Sequence, residues 1–371
     1  QQDLPVPDDA LLHLVEPAWW RQALRDGSIP PGPEGFVHLS RPDQVHLPAA
    51  RLGLVRPVLL VVDPERLQFR PRPGSHPELA KGGEDGVLSL YRELPTSAVT
   101  AVVPWRPPAR PALPAPDDAL GRALAHYFSV PVRRATEVRA VPGGVAVVDP
   151  AYRWSRDDNR VLLAEPVAAD DVEPAVADVA SDAGWPHQAA GLLWPGAAAV
   201  AGELARRGWR AEELLLMARP AQPVPGGERA EVVAQEAVHE LWERGWRRDE
   251  VAPPGRLDEV VAQLVGREHR NDQVVAVTDV VVRDEGRVVA AGQLRVDGGT
   301  AAVESVMTEP AARGHGHADA ALARILSLAA EAGCDLVAEA AADDWPQHWY
   351  ARRGFRPVGS TWDVSRPGTA V

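Results

Sequence analysis

Two hydrophobic periodicities divide this chain into helices and strands. Apolar residues at three-to-four spacing predict helices over residues 18–25, 172–183 and 198–207, each followed closely by a glycine that favours a helix end. Short apolar runs predict strands, which lie at residues 10–15, 55–62, 88–90, 99–103, 144–148, 161–164 and 214–218. The chain therefore mixes helices and strands.

The last third of the chain has the clearest order of elements. Its predicted elements are, in sequence, helices at 230–244 and 257–265, strands at 274–282, 288–296 and 301–308, a helix at 319–332, a strand at 335–340 and a short helix at 345–352. Gly245 is expected to end the first of these helices. Asp and Gly residues between the three strands supply the backbone angles of hairpins. The pattern predicts a three-stranded meander followed by a helix and a further strand.

Proline marks the predicted domain boundaries. Residues 104–116 contain six prolines, and this density blocks helix and sheet and favours a stiff, extended spacer. A second, weaker boundary lies at residues 219–228. We predict a small α+β domain over 1–108, a linker over 109–117, a middle lobe over 118–225 and a last domain over 226–371.

Composition excludes several functional classes. The 371 residues carry a formal net charge of −13, which disfavours a general affinity for nucleic acid or for an anionic membrane. A single cysteine, Cys334, excludes a disulfide framework and a cysteine-rich metal site. No run approaches the ~20 apolar residues of a membrane helix, and residues 1–9 lack the order of a signal peptide. We expect a cytoplasmic protein without a metal.

One glycine-rich corner has a chemical use. Gly314 and Gly316 stand at the mouth of the predicted helix at 319–332, and Arg313 adds a positive charge there. Free N–H groups and the helix dipole would hold a phosphate at such a mouth. A plain tight turn is the alternative, because the corner lacks both the third glycine of a dinucleotide fingerprint and the Lys-Ser/Thr ending of a P-loop.

The surrounding residues resemble the GCN5-related N-acetyltransferases. The stretch 308–318 contains an Arg-x-x-Gly-x-Ala element similar to that family's pyrophosphate-binding turn, and 350–355 contains its Tyr-x-x-x-Gly-Phe element. The resemblance covers about residues 270–365 and is closest to an actinobacterial branch with Asp-Asp-Trp-Pro before the tyrosine. That branch has an extra N-terminal lobe, which residues 126–220 resemble. It implies an α+β or α/β fold: a C-terminal acetyltransferase fold, a related lobe before it, and a small α+β domain in front.

The resemblance also implies acetyl-CoA as donor and a set of binding residues. Backbone N–H groups of the turn would bind the pyrophosphate: Arg313, Gly314, His315, Gly316, His317 and Ala318. Backbone groups of Val306 and Thr308 would pair with the pantetheine arm between splayed strands. Tyr350 would protonate the departing thiolate. A phenol suits this role because its pKa of ~10 lies above the ~8.5 of a thiol, so it stays protonated at neutral pH. Its alternative role is that of a packing aromatic.

An attacking amine must also lose a proton, and Glu304 is the first candidate for the base. Side chains at Ala302, Glu304 and Val306 would share one face of their strand. On a covered face an acid would serve the reaction, whereas on a solvated face it would be unremarkable. Asp343, His348 and His317 are the other candidates for contact with the substrate, with rim positions as their alternative.

The first domain resembles the bacterial family called domain of unknown function 952, over about residues 10–105. The resemblance includes His13 and a Gly-Phe-Val-His-Leu-Ser element that contains His38 and Ser40. That element is also similar to RNA 2′-phosphotransferases, which implies an ADP-ribosyltransferase-like fold and a histidine that holds the ribose of NAD. Arg70 and Ser89 stand where an acid and a histidine are expected, which favours a structural or ligand-binding role for the histidines.

We therefore expect an acetyl-CoA-dependent N-acetyltransferase that acts on a small-molecule amine. Two alternatives stay open at this stage. The fold could sense acyl-CoA without catalysis, or the first domain could carry NAD-dependent ADP-ribosyl or 2′-phosphate transfer. We expect neither nucleic acid nor a membrane as partner.

Overall fold

The structure, a computed structural model, describes residues 10–45, 49, 52–67, 79–82, 87–249 and 252–368. The helices in these ranges are α1 Pro17–Asp26, α2 Ala119–Arg134, α3 Ala169–Ala183, α4 Ala198–Arg206, α5 Glu236–Arg248, α6 Leu257–Gly266, α7 His317–Glu331 and α8 Pro346–Ala351. The first strands are β1 Leu11–Val15, β2 Ser28–Ile29, β3 Val37–Leu39, β4 Val58–Val62, β5 Leu79–Gly82, β6 Val87–Leu90, β7 Leu94–Pro95 and β8 Val99–Pro104.

The later strands are β9 Glu137–Val141, β10 Gly144–Val148, β11 Arg160–Leu163, β12 His187–Leu192, β13 Arg210–Arg219, β14 Ala230–Val233, β15 Ala276–Asp284, β16 Arg287–Asp297, β17 Thr300–Thr308, β18 Asp335–Ala341 and β19 Arg356–Pro367. Together they form one sheet with the order β14-β15-β16-β17-β18-β13-β19-β12-β11-β10-β9. This mixture of helices and strands confirms the predicted fold class.

The large sheet consists of two similar halves that exchange one strand each. In the first half, β11 and β12 are parallel and joined through α3; in the second, β17 and β18 are parallel and joined through α7. The strand that ends each half then pairs with the other half, so that β13 lies beside β18 and β19 beside β12. Since β13 and β19 also pair with each other at the centre, the two halves share one continuous sheet.

The N-terminal unit is a small α+β structure. Strands β1, β4 and β8 form an antiparallel sheet, β3, β6 and β5 form a second, and β2 pairs with β7. Helix α1 covers this unit with the buried Trp20, and it ends at Gly27 in the left-handed conformation, as the sequence predicts.

The N-terminal unit packs tightly on the large sheet at the hairpin between β16 and β17. Asp297 there forms a buried ion pair with Arg133 of α2 and accepts a hydrogen bond from Trp20 Nε1 at 3.0 Å. Gly299 N donates to Val99 O at 2.6 Å, and a Cβ at Gly299 would lie 2.3 Å from Ser97 O. Glycine is therefore required here because the two backbones approach each other closely.

The proline-rich segment differs from the predicted spacer. Leu113 is 4% exposed and joins an apolar cluster with Leu12 of β1, Leu59 of β4 and Ala125 of α2. The extended conformation that proline imposes lets the segment line this cluster, so it packs between the N-terminal unit and α2.

The predicted helix over residues 230–244 is wrong at both ends. Residues 230–233 are strand β14, which pairs with β15, and the helix, α5, begins at Glu236. This helix continues through Gly245 to Arg248. Gly245 faces Met307, whose Cε and Sδ would lie 2.9 and 3.0 Å from a Cβ there. This glycine allows close packing and does not end the helix.

Candidate active site

The glycine-rich corner forms an open turn at the start of α7. Gly314 and Gly316 have φ angles of +80° and +74°, which glycine adopts without strain, and Gly316 caps the helix. Apart from the adjacent residues, no described part of the chain has an atom within 4 Å of a Cβ placed on either glycine. The first backbone N–H groups of a helix have no partner within the helix, so this turn can bind an anion.

Arg229 lies at this turn beside the two histidines of the turn, His315 and His317. Arg229 Nη2 lies 3.1 Å from His317 Nδ1, and His317 is buried, so it does not have the rim position given as its alternative. His315 stacks near His317 at 5.9 Å, and its Nδ1 lies 2.9 Å from Arg313 O. Arg229 was missed in the sequence because it lies far from the turn along the chain.

Strand β17 contains an irregularity at Ser305. Its φ angle is +52°, and the pairing with β16 shifts register here, between Ala291 and Gln293 on the partner strand. The expectation that Ala302, Glu304 and Val306 share one face is therefore wrong. Val306 packs into the cluster beneath α7, and Met307 packs into the cluster under α5.

Strands β17 and β18 separate just before this irregularity. Their parallel pairing covers only residues 300–302 and 335–337, whereas β18 stays paired with β13 as far as Ala341. Beyond Ala302, the edge of β17 that faces β18 is therefore not paired with that strand. Val306 and Thr308 lie along the resulting gap, at whose outer end the glycine turn begins, and the buried Thr308 hydroxyl makes no hydrogen bond among the described residues.

Tyr350 of α8 is 6% exposed and packs against Trp349 and Phe355, with ring centroids 4.9 and 5.1 Å away. Burial raises the pKa of its phenol, and the negative field of Glu304 raises it further. The hydroxyl thus stays protonated throughout the neutral range and can donate a proton or a hydrogen bond.

Glu304 of β17 interacts electrostatically with two other titratable side chains, Glu339 of β18 and Tyr127 of α2. Burial raises its pKa, while Arg295 opposes this effect. Burial and then the charge of Glu304 raise the pKa of Glu339 on β18 well above its usual range. Tyr127 of α2 lies beside Glu304, and burial followed by that carboxyl raises its pKa well above 10. Neither Glu339 nor Tyr127 was identified from the sequence.

A polar cavity of about 270 Å³ lies near this group, although Glu304, Glu339 and Tyr127 do not line it. It lies between the loop after β10, α5, α6 and the exchanged strands, and its wall includes Trp154, Arg160, Trp246 and Asp363. Arg160 and Asp363 also act on the pKa of Glu339, which connects the cavity to the acids electrostatically. The cavity provides space for a second, small molecule beside the gap.

The other candidates for substrate contact lie at the surface. Asp343 and His348 are both exposed, on the turn before α8 and on α8 itself. Cys334 is fully buried and donates to Gly298 O at 3.0 Å, and burial raises the pKa of its thiol to about 12. A thiol in this environment is a packing group and not a nucleophile.

The histidines of the N-terminal unit lie together. His13 Nδ1 lies 2.7 Å from His38 O, and burial lowers the pKa of His13 to about 4, so its ring is neutral at pH 7. His38 Nε2 lies 3.1 Å from an acid that the sequence analysis missed, Glu34. Ser40 is buried and bridges to β1 through its backbone, and Arg70 lies outside the described residues.

The described part of the chain has neither a metal-binding cluster nor a membrane-spanning helix. No three or more His, Cys, Asp and Glu side chains are grouped there in a way that could hold a metal ion. No described helix is both long enough and apolar enough to cross a membrane.

Comparisons with known proteins agree with both resemblances. Residues 236–355 match the model described as acetyltransferase (GNAT) family, and residues 14–102 match that described as protein of unknown function DUF952. The chain therefore carries a GNAT acetyltransferase domain, which supports acyl transfer, and a DUF952 domain before it. No curated protein matches the chain.

Solved structures with similar folds include three that illustrate these parts. A GCN5-related N-acetyltransferase from Kribbella flavida is 21% identical, with 67% of this chain and 96% of that chain covered and a TM-score of 0.45. A putative GNAT acetyltransferase from Novosphingobium aromaticivorans is 18% identical, with 62% and 91% covered and a TM-score of 0.39. A protein from Caulobacter crescentus is 26% identical, with 26% and 84% covered and a TM-score of 0.22.

Proposed function

We propose that this chain, whose residues 236–355 are a GNAT acetyltransferase domain, transfers an acetyl group from acetyl-CoA to the amine of a small molecule. The observation that carries the proposal is the gap between β17 and β18. It begins at an anion-binding turn, and a buried phenol and an unpaired carboxyl, Tyr350 and Glu304, interact electrostatically beside it. A pantetheine arm needs such a slot, because it is narrow and carries amides that pair with free backbone groups.

The donor side fits a coenzyme with a pyrophosphate. The N–H of Arg313 donates to Pro310 O at 3.3 Å, so the binding groups of the turn are the N–H groups of residues 314–318. Arg313 and Arg229 add positive charge. The corresponding turn of the first half-sheet contains Glu165, and the first helical turn of α3 contains two acids, Asp170 and Asp171, where that of α7 contains one, Asp319. Because these carboxylates would repel phosphate, we propose a single donor site, in the second half.

The acceptor side supplies the proton transfers. Glu304 would take a proton from the ammonium of the acceptor, either directly or through water, so that the free amine can attack the thioester carbonyl carbon. Tyr350 would donate its proton as the carbon–sulfur bond breaks, which gives a neutral thiol. The attacking nitrogen would then lose its second proton to the phenolate or to water, which gives the amide. The raised pKa of Tyr350 supports its role as the donor.

The contacts in the N-terminal unit support a structural or ligand-binding role for its histidines over NAD chemistry. His13 is buried, neutral and bonded to a backbone carbonyl. The unit also packs against the hairpin that starts β17, so we propose that it stabilises the acetyltransferase sheet.

The test is titration calorimetry with acetyl-CoA, followed by a thiol-release assay against a panel of amines. We expect binding in the micromolar to millimolar range of enzyme substrates and CoA release that depends on the amine. Binding without release by any amine would instead favour a sensor of acyl-CoA. Consumption of NAD by the full chain that is lost in His13→Ala would favour activity in the N-terminal unit.

A further inference from the structure

Glu304 and Glu339 are neighbours on the same face of the sheet. Ala302 of β17 and Val337 of β18 form the last parallel pair, and both pack into the apolar cluster beneath α2. Glu304 and Glu339 each come two residues later, so their side chains point to that same face. They therefore project side by side at the point where the two strands separate.

Neither carboxyl forms a contact ion pair with a described residue, although the charges of Arg295 and Arg160 lower the pKa values of Glu304 and Glu339 from a greater distance. Three of the four arginines that line the nearby cavity are paired with other acids: Arg160 with Asp363 at 3.4 Å, Arg210 with Glu212 at 3.0 Å and Arg267 with Asp157 at 2.5 Å. The fourth, Arg156, donates to Ser365 Oγ at 3.2 Å. Two unpaired carboxyls in a half-buried site are unfavourable unless a cation joins them or a proton is retained.

A separate observation indicates that this site receives a ligand. The Tyr127 hydroxyl oxygen is buried beside Glu304 but makes no hydrogen bond of acceptable geometry with any described residue. Glu304 is the hydrogen-bonding group that acts on this hydroxyl, and the pair is poorly aligned. Since buried hydroxyls are rarely left without a well-aligned partner, a ligand bound to Glu304 would complete the hydrogen bonding of Tyr127. The cavity with Trp154 and Trp246 is also lined by Arg160 and Asp363, whose charges act on Glu339, and it has room for a small ligand.

We propose that Glu304 and Glu339 together form the acceptor's cation site, and that the acceptor carries two or more ammonium groups, as a diamine or an amino sugar does. This inference rests on the proposed acetyl transfer and adds the class of its acceptor. Glu304 takes the proton of the reacting ammonium and thereby loses its charge. Glu339 binds a second ammonium, whose positive charge favours the ionised carboxyl, and this contact orients the first ammonium toward the thioester.

The reaction balances with this assignment. The amine nitrogen forms a bond to the acetyl carbonyl carbon, and the carbon–sulfur bond breaks. One proton passes from the ammonium to Glu304 and then to solvent. As the carbon–sulfur bond breaks, the thiolate takes the proton of Tyr350, and the attacking nitrogen gives its second proton to the resulting phenolate, directly or through water. The products are a monoacetylated acceptor, which keeps its second ammonium, and CoA.

The kinetic test compares acceptors of different charge. With purified full-length protein, we expect kcat/KM for 1,4-diaminobutane or kanamycin to exceed that for butylamine by at least about tenfold, and 4-aminobutyrate to be the poorest acceptor. Glu339→Gln should raise the KM of the dications at least about tenfold, remove this preference and leave acetyl-CoA affinity within about twofold. Glu331→Gln, at the exposed end of α7, is the matched control and should behave like the wild type.

A binding test separates this inference from the proposed reaction. Titration calorimetry of both dications into the protein without acetyl-CoA should show binding that Glu339→Gln abolishes and Glu331→Gln retains. If this holds while no amine releases thiol, the cation site stands and the acetyl transfer fails. If neither dication binds, if butylamine is acetylated as well as the dications, or if Glu339→Gln leaves their KM unchanged, the cation site is refuted.

Discussion

Removal of one oxygen atom in Tyr350→Phe separates the chemistry of this site from its packing. The ring lies between Trp349 and Phe355, and phenylalanine keeps those contacts, so the folded structure should be retained. The lost hydroxyl is the proposed proton donor, and general acid catalysis typically contributes about 10²–10⁴-fold to a rate. We therefore expect kcat to fall by that factor, which corresponds to about 3–5 kcal/mol in the activation free energy. Acetyl-CoA affinity should change by less than about threefold.

The assay measures thiol release for kcat and titration calorimetry for acetyl-CoA affinity, with Tyr91→Phe as the control because Tyr91 is exposed on the N-terminal unit. Burial and Glu304 raise the pKa of Tyr350, so the wild-type rate should not fall at moderately alkaline pH through ionisation of this phenol. Equal losses of kcat and affinity in Tyr350→Phe, or an unchanged kcat, would refute the proton-donor role and make Tyr350 a packing residue.

Three further outcomes follow from the structure. Gly316→Trp should abolish acetyl-CoA binding, as measured by calorimetry, because the new side chain fills the open turn. Gly196→Trp, at an equally open glycine with φ +90°, should bind acetyl-CoA normally. Equal effects of the two substitutions would show that backbone strain alone is responsible. Asp297→Ala should lower the free energy of unfolding in urea by about 3–5 kcal/mol, because it leaves Arg133 buried without its partner, and a loss below 1 kcal/mol would contradict this. Burial and two nearby arginines lower the pKa of His126 to about 3, so below pH 6.5 the unfolded chain binds a proton at this site that the folded protein does not bind. The free energy of unfolding should therefore fall from pH 6.5 toward pH 3, and less steeply in His126→Gln. Parallel curves for the two proteins would exclude this group as the cause.

The sequence was most informative where one local pattern decides the structure. The hairpins at residues 284–287 and 297–300, the helix after Gly316 and the left-handed ends at Gly27 and Gly184 depend on nearby residues alone. The binding turn could be predicted for the same reason, since glycines at a helix start act over a few residues.

The rest depends on contacts between distant parts of the chain. Helix α2 was missed because its buried surface is set by the N-terminal unit and the sheet together, and Pro131 lies inside it. The irregularity at Ser305 cannot be predicted from an apolar strand pattern, yet it decides which side chains lie on the same face of β17 as Glu304. Glu339 reads as an ordinary strand residue until the register of β17 and β18 places it beside another acid.

The exchange of β13 and β19 was also beyond a sequence reading. Either strand could pair within its own half, because both are amphipathic and similar in length. The register that joins Leu215 to Ser360 and Ala340 is a property of the complete sheet. Glu212 and Asp363 reach the cavity wall only through this exchange.

The most direct test of the account is the release of CoA thiol by the purified full-length chain with acetyl-CoA and 1,4-diaminobutane. The account predicts one thiol for each N-acetyl-1,4-diaminobutane formed, as determined by mass spectrometry, with the rate lost in Glu304→Gln and retained in Glu331→Gln. Saturable binding of acetyl-CoA with no thiol release for this amine or any other in the panel would contradict it.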